Sequence, residues 1–89
     1  MKFEWDENKN KSNLKKQGID FSDAQKVFND EDNLIAPDLR KDYGESRWKI
    51  IGKVYGVIIS VIYTIRNEAI RIISARRASK KERKEYNSK

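Results

Sequence analysis

A run of cations near the C-terminus is the first feature of this sequence that could do chemistry. From residue 71 to residue 89 the chain carries eight Lys/Arg against two Asp/Glu, whereas residues 1–70 carry twelve of each sign. Arg71, Arg76 and Arg77 lead into a lysine-rich stretch. Guanidinium groups bind phosphate bidentately and keep their charge at physiological pH. This region is therefore predicted to bind a nucleic-acid backbone; the alternative is the solvated basic face of a terminal helix.

A second group could supply the parts of an RNA-cleaving site. Glu45, Arg47 and Lys49 alternate along one face of a predicted strand, and Tyr63 and Arg66 lie at the end of the next strand. Cleavage of a phosphodiester by the neighbouring 2′-hydroxyl needs a base, positive charge for the phosphorane and a proton donor. Carboxylate, guanidinium and phenol groups could fill these roles without histidine or metal. Cross-strand ion pairing on a solvated face would give the same pattern.

Aromatic residues could stack the bases of single-stranded RNA. The candidates are Trp5, Tyr43, Trp48, Tyr55 and Tyr86. Trp48 falls on the apolar phase of its strand and is predicted to pack in the core, whereas Trp5 could remain reachable at a sheet edge. Tyr86 lies one helical turn beyond a glutamate on the same face, so it could pack on the sheet or offer its hydroxyl to a site there.

The composition excludes several kinds of chemistry. The chain has no cysteine and no histidine, so disulfides, thiolate zinc sites, a thiol nucleophile and an imidazole base are impossible. No cofactor and no metal site is predicted. The longest apolar run, within residues 57–63, is too short to span a bilayer, and the first residues lack an apolar signal segment. We expect a soluble, cytoplasmic protein that does not associate with membranes.

Two helices are predicted in the first third of the chain. Asp6 can cap a helix of residues 7–16, which Gly18 ends. Ser22 and Gln25 have the spacing of a capping box for a second helix, whose apolar residues share one face. The second helix should therefore pack on a core. The first, with Leu14 as its one clear apolar residue, should lie mostly in solvent or bury its polar face against a partner.

The predicted strands form a small antiparallel sheet. The period becomes two over residues 45–52, and the β-branched residues 57–65 and 70–75 complete a meander. Residues 2–5 and 34–36 fit short edge strands. We expect three to four core strands in the sheet.

A third helix follows the last strand. Ser79 and Glu82 repeat the capping-box spacing and open a basic helix that reaches about Tyr86. The predicted fold class is therefore α+β, with two N-terminal helices, the antiparallel sheet and a C-terminal basic helix. We expect a single domain over residues 1–89.

Several segments resemble one known family. They are the opening FEWDENKNKSNLKKQGIDFSDAQKVFND, the central GESRWKIIG, the strand ending VIYTIR and the final RIISARRASKKERKEY. In this order, over nearly the whole chain, they resemble the BrnT toxins of bacterial type II toxin-antitoxin systems. The most specific part is RIISARRA followed by a basic helix that ends in tyrosine.

The resemblance implies a RelE-like α+β ribonuclease that cleaves RNA without metal and arrests translation. It also implies a BrnA-type antitoxin, whose ribbon-helix-helix module would bind operator DNA as part of the complex. Histidines that are frequent in the family are replaced in this chain by Gln17 and Lys41, so Lys, Glu or Tyr would have to serve instead. The residues that match the family pattern are Trp5, Asp6, Lys9, Glu45, Arg47, Tyr63, Arg66, Arg71, Ser74, Arg76, Glu82 and Tyr86.

These observations lead to one leading hypothesis and two rivals. The leading hypothesis is an endoribonuclease in which Arg66 and Arg76 hold the scissile phosphate, while Glu45 and Tyr86 transfer protons. The rivals are a non-catalytic module that binds nucleic acid, and an interaction subunit whose basic face is filled by an acidic or amphipathic partner segment. Further RNA contacts are predicted for Trp5, Lys9, Arg47, Arg71, Arg77 and Lys80.

Overall fold

The chain folds around one five-stranded sheet, in a computed structural model that describes residues 2–88. The α+β class predicted from the sequence is confirmed. The strands are β1 (Lys2–Glu4), β2 (Leu34–Pro37), β3 (Trp48–Val54), β4 (Val57–Arg66) and β5 (Ala69–Arg77). The helices are α1 (Glu7–Gln17), α2 (Phe21–Ala24), a 3₁₀ helix that continues α2 (Gln25–Asn29), and α3 (Lys80–Asn87).

The sheet is larger than predicted and is not wholly antiparallel. Its strand order is β1-β5-β4-β3-β2, which is five strands where three to four core strands were expected, and the short strands β1 and β2 lie at its edges as predicted. Strand β1 runs parallel to β5, with Lys2 opposite Ala69. Pairing between the first and the last strand depends on residues far apart in the sequence, and local periodicity therefore gives no sign of it.

The hydrophobic core lies between the sheet and the first two helices. Phe21, Ala24 and Val27 are fully buried against Ile50 and Val61. The second helix is thus amphipathic as predicted, but it is a single α-turn followed by the 3₁₀ helix.

The predicted capping box of the second helix is wrong. Asp20 is the cap, and its Oδ1 accepts a hydrogen bond from the backbone N–H of Ser22 at 2.9 Å. A charged acceptor that stands before the first apolar residue of the helix replaces the serine as the cap.

Helix α1 is attached by amide side chains and not by apolar ones. Its predicted ends are confirmed, since Asp6 caps it and Gly18 ends it with a left-handed φ of 71°. The buried Asn10 accepts from the backbone N–H of Phe21 at 2.8 Å. Asn13 accepts from the backbone N–H of Ala75 at 3.1 Å, beside a bulge in β5 where Ile73 has no partner on β4. Directional hydrogen bonds therefore fix this polar helix against β5.

Strand β3 begins three residues later than predicted. It starts at Trp48, so Glu45 and Arg47 lie in the loop that precedes it. Ile51, on the same face of β3 as Lys49, is buried, as is its partner Ser60 on β4. Helix α3 packs on β3 and covers this part of the sheet, because the carboxylate of Glu82 reaches both strands.

Candidate active site

The sheet face opposite α1 and α2 carries most of the predicted site residues. Paired residues on neighbouring strands share a face, so Arg76 on β5 lies beside Ser60 on β4, and Arg71 lies beside Thr64. We call this surface the open face. It consists of the side chains of Lys49, Ile51, Ser60, Ile62, Thr64, Arg71, Ser74 and Arg76.

At one end of the open face, Glu45 bridges two arginines. Its Oε2 lies 3.1 Å from Nε of Arg47, and its Oε1 lies 3.1 Å from Nη2 of Arg66. We call these three residues the Glu45 cluster. The hydrogen bonds from Arg47 and then from Arg66 hold the pKa of Glu45 below its usual value. The structure thus brings together three residues that the sequence analysis grouped.

The loop that carries Glu45 is itself held in place. Thr64 Oγ1 donates to the backbone carbonyl of Ser46 at 2.6 Å, which ties the loop to β4. The guanidinium of Arg47 stacks 3.8 Å from the centre of the Tyr43 ring. These contacts orient Arg47. Arg66 remains half exposed at the end of β4.

A second carboxylate, Glu82 on α3, also bridges two cations. Arg76 binds it bidentately, with Nη1–Oε1 at 2.7 Å and Nη2–Oε2 at 3.0 Å, and Nζ of Lys49 lies 2.9 Å from Oε2. We call these three residues the Glu82 cluster. Glu82 also completes the predicted capping box, because its Oε1 accepts from the backbone N–H of Ser79 at 2.9 Å. The capping box at the start of α3 is therefore confirmed.

The electrostatics of Glu82 follow from its burial and its donors. Burial raises the pKa of Glu82, but the hydrogen bonds from Arg76, Lys49 and Ser79 outweigh it and hold that pKa far below its usual value. Arg76 remains 41% exposed, so one side of its guanidinium is open to solvent. The carboxylate, in contrast, has no room for a substrate proton.

Tyr86 lies away from the Glu45 cluster. Its hydroxyl donates to Oδ2 of Asp30 at 2.5 Å, and Asp30 also accepts from the backbone N–H of Lys53. The hydrogen bond to Asp30 and then burial raise the pKa of Tyr86 to about 12. Lys53 stands five residues along β3 from Trp48, which is about 16 Å at 3.3 Å per residue. The structure therefore does not bring the four predicted catalytic residues together.

Two of the grouped residues also point elsewhere. Tyr63 lies on the core face, packed edge-on against Phe28 with ring centres 5.0 Å apart, and burial raises its pKa. Arg77 pairs with Ile59, a core residue, so it emerges on the helix side of the sheet while Arg76 lies on the open face. Adjacent residues of a strand face opposite ways, which separates this arginine pair.

The remaining predicted RNA contacts are spread over the molecule. Arg71 lies on the open face, 3.7 Å from Glu4 of β1. Trp5 is half-buried, packed edge-on against Phe21, and its indole N–H donates to Glu7. Lys9 and Lys80 are exposed near the starts of α1 and α3. Glu4 was missed from the sequence, because only the parallel pairing of β1 with β5 makes it a neighbour of Arg71.

The described part of the chain offers few other chemical possibilities. Among residues 2–88, no group of three or more metal-ligating side chains could hold a metal ion. None of the helices in the same residues is long and apolar enough to cross a membrane.

The fold and the open face define a small, basic α+β protein whose sheet presents arginines and lysines around two bridging carboxylates. Comparison with protein families gives this class a name. The model of the family described as the ribonuclease toxin BrnT of type II toxin-antitoxin systems matches residues 5–82. The chain therefore belongs to the BrnT family of ribonuclease toxins, as its sequence motifs predicted. A comparison with curated proteins found no match.

Membership of this family sets the chemical context of the site. A ribonuclease toxin acts on RNA, and a type II system pairs the toxin with an antitoxin. The open face is therefore a candidate surface for RNA.

Proposed function

We propose that the protein is a metal-independent RNA endonuclease that arrests translation, and that residues 1–89 act as a single RelE-like toxin domain in the cytoplasm. The family assignment supports the ribonuclease chemistry. The observation that carries the mechanism is the carboxylate of Glu45, held on the open face between Arg47 and Arg66. A base flanked by two phosphate-binding groups is what 2′-hydroxyl attack requires.

In the proposed reaction, Glu45 takes the proton of the 2′-hydroxyl. The 2′-oxygen attacks the adjacent phosphorus, and the bond from phosphorus to the 5′-oxygen breaks. The products are a 2′,3′-cyclic phosphate and a 5′-hydroxyl, whose oxygen takes its proton from water because this end of the sheet is open to solvent. Arg47 and Arg66 stabilise the negative charge that builds up on the phosphorane.

Substrate binding itself would make Glu45 a stronger base. A phosphate competes with the carboxylate for the N–H groups of Arg47 and Arg66, which now hold the pKa of Glu45 low. Its negative charge also raises the pKa of a nearby carboxyl group. Both effects move the pKa of Glu45 upward in the complex, toward the range in which general bases work well.

The other predicted residues receive secondary roles in this proposal. Arg71 and the exposed side of Arg76 bind flanking phosphates, and Lys80 adds long-range attraction for RNA. Glu82 holds α3 on the sheet through Lys49, and Tyr86 ties α3 to Asp30, which follows the 3₁₀ helix. Trp5 packs on the core, and Arg77 lies on the other side of the sheet from the cut.

The chemistry can be tested with purified protein and a labelled RNA in the presence of EDTA. We expect cleavage that leaves 2′,3′-cyclic phosphate ends, and a loss of about 10²–10³-fold in rate for Glu45→Gln. Glu85→Gln is the matched control, because it removes the same charge from an exposed position on α3. Cleavage that requires a divalent metal, or an unimpaired Glu45→Gln variant, would refute the mechanism. Binding of RNA without cleavage would favour the non-catalytic alternative.

The partner is proposed from the same assignment. We expect a BrnA-type antitoxin with a ribbon-helix-helix module to neutralise the toxin, and operator DNA to be bound only by the complex. A gel shift with operator DNA should therefore need both proteins, whereas a shift by the toxin alone would contradict this division of labour.

A further inference from the structure

A cleft beside α1 stands apart from both carboxylate clusters. It lies between α1 and β5 and has a volume of about 270 Å³. Two lysines, two serines and two amides line most of it, and only one side chain is apolar. The lining residues are Lys9, Ser12, Asn13, Lys16, Gln17, Ile73 and Ser74. We call it the α1 cleft.

The attachment of α1 forces two lysines into this cleft. Asn13 is fixed to the backbone N–H of Ala75, so the stripe of α1 around Asn13 must face the β5 edge. Lys9 and Lys16 precede and follow Asn13 by one helical turn and therefore belong to that stripe. On the other side of the contact, the bulge at Ile73 interrupts the pairing of β5 with β4, and Ile73 and Ser74 line the cleft.

The α1 cleft is positive and uncompensated. None of its lining residues is acidic, and among residues 2–88 neither Lys9 nor Lys16 takes part in an ion pair. The hydroxyls of Ser12 and Ser74 lie in the same cleft. The cations of the open face are different, because each of them is paired with a carboxylate. Ammonium and hydroxyl groups both donate hydrogen bonds to phosphate oxygens, so the lysines and serines give the cleft the donors that bind a nucleic-acid backbone.

The position of the cleft relates it to the Glu45 cluster. Arg66 is paired with Ala69 at the start of β5, Arg71 follows on the open face, and Ser74 borders the cleft. From Ala69 to Ser74 the strand advances by about 16 Å at 3.3 Å per residue. At the roughly 3.4 Å that separates stacked nucleotides, this is a length of about five nucleotides.

We propose that the α1 cleft binds the phosphodiester backbone of the RNA strand that is cut at the Glu45 cluster, several nucleotides away from the scissile bond. This inference rests on the proposed ribonuclease function. It makes the substrate a single strand long enough to cross the open face and engage Lys9 and Lys16. An acidic protein segment is the competing occupant, and the experiment below separates the two.

The test compares two double variants on the same helix. Lys9→Gln with Lys16→Gln removes the cleft cations, whereas Lys11→Gln with Lys15→Gln removes two exposed lysines that do not line the cleft. Both change the net charge equally. The substrates are a 20-nucleotide RNA and a trinucleotide that contains its main cut site.

The first readout is the ratio of kcat/KM for the long and the short substrate. We expect wild type and the Lys11/Lys15 variant to share a preference for the long RNA, and the Lys9/Lys16 variant to lose about tenfold of it. The salt dependence should change as well, because two lost phosphate contacts lower the slope of log(kcat/KM) against log salt by about 1.4.

Each outcome decides the inference separately from the proposed function. Equal effects of the two double variants would mean non-specific attraction. They would overturn the inference that the α1 cleft binds RNA, even if RNA is cleaved. An unchanged kcat/KM ratio and salt slope in the Lys9/Lys16 variant would overturn RNA binding in the cleft and favour a protein segment as its occupant. If wild type cleaves neither RNA, the ribonuclease proposal fails, and the salt slope of binding to the 20-nucleotide RNA, measured by fluorescence anisotropy, still tests the cleft with the same variants.

Discussion

The Glu45 cluster and the Glu82 cluster are built from the same parts, one carboxylate between two cations, but they differ in their surroundings. Glu45 lies in a loop with 27% of its side chain exposed, beside the half-exposed Arg66. Glu82 lies on a helix with 5% exposed, and the backbone of Ser79 binds it as well. Composition alone therefore does not separate the carboxylate that we propose as the base from the one that we propose to be structural.

The difference in burial supports the different roles that we propose for the two carboxylates. A carboxylate that is enclosed and fully hydrogen-bonded has no free lone pair for a substrate proton, and removing it leaves its partners uncompensated. When a phosphate takes the arginine partners of a partly exposed carboxylate, the folded protein loses little stability. We therefore expect the Glu45 cluster to control the rate and the Glu82 cluster to control the stability.

The largest expected effect is on catalysis at Arg66. Arg66→Gln should lower the single-turnover cleavage rate by about 10²–10³-fold, because a preorganised charge at the phosphorane is lost. The urea midpoint of unfolding should stay at the wild-type value. Lys81→Gln, an exposed lysine on α3, is the control for the loss of one positive charge. A parallel fall in rate and midpoint would give Arg66 a structural role and erase the contrast.

The next effect is on stability at Glu82. Glu82→Gln should lower the free energy of unfolding by about 2–3 kcal/mol, less than for a fully buried pair because Arg76 and Lys49 are partly exposed. Urea denaturation measures it, with Glu85→Gln expected to stay within about 0.5 kcal/mol of wild type. A Glu82→Gln variant that is as stable as wild type, but inactive at urea concentrations below its unfolding midpoint, would contradict the structural role of Glu82.

The contribution of Glu82 to the free energy of unfolding should depend on pH. The folded-state pKa of Glu82 lies below its usual value of 4.5, so its contribution is complete above that pH and is lost as the pH falls toward the folded-state pKa. The difference in unfolding free energy between wild type and Glu82→Gln should therefore shrink on acidification below pH 4.5 and stay constant near neutrality. A difference that grows in acid would show that the sign is wrong.

The smallest effect is expected at Tyr86. Tyr86→Phe removes the hydrogen bond to Asp30 and should cost about 1 kcal/mol of stability. The pKa of Tyr86 is raised from 10.0 to about 12, so this contribution is present below pH 10 and is lost as the pH rises to about 12. The cleavage rate near pH 7 should match that of wild type. A rate reduced more than tenfold would restore Tyr86 as a proton donor.

Local signals in the sequence predicted much of the fold and part of the site. Asp6 and Gly18 bound α1 as expected, and Ser79 with Glu82 forms the capping box, because these motifs depend on residues within one helical turn. The grouping of Glu45 with Arg66 followed from adjacent strands of a meander. The contacts that could not be predicted join residues far apart in the sequence. Examples are Glu82 of α3 with Lys49 of β3, and Asn13 of α1 with β5.

The pairing of β1 with β5 has a consequence for when the protein becomes active. Residues 5–68 separate these two strands, so their contact has a high sequence separation, and contacts of that kind are slow to form. During synthesis, β1 is made before β5 and stays without its partner until β5 has been made. The ion pair of Glu4 with Arg71, the Arg76 side chain and the attachment of α1 all require β5. A chain on the ribosome that does not yet include β5 therefore lacks these contacts and the proposed RNA surface that depends on them.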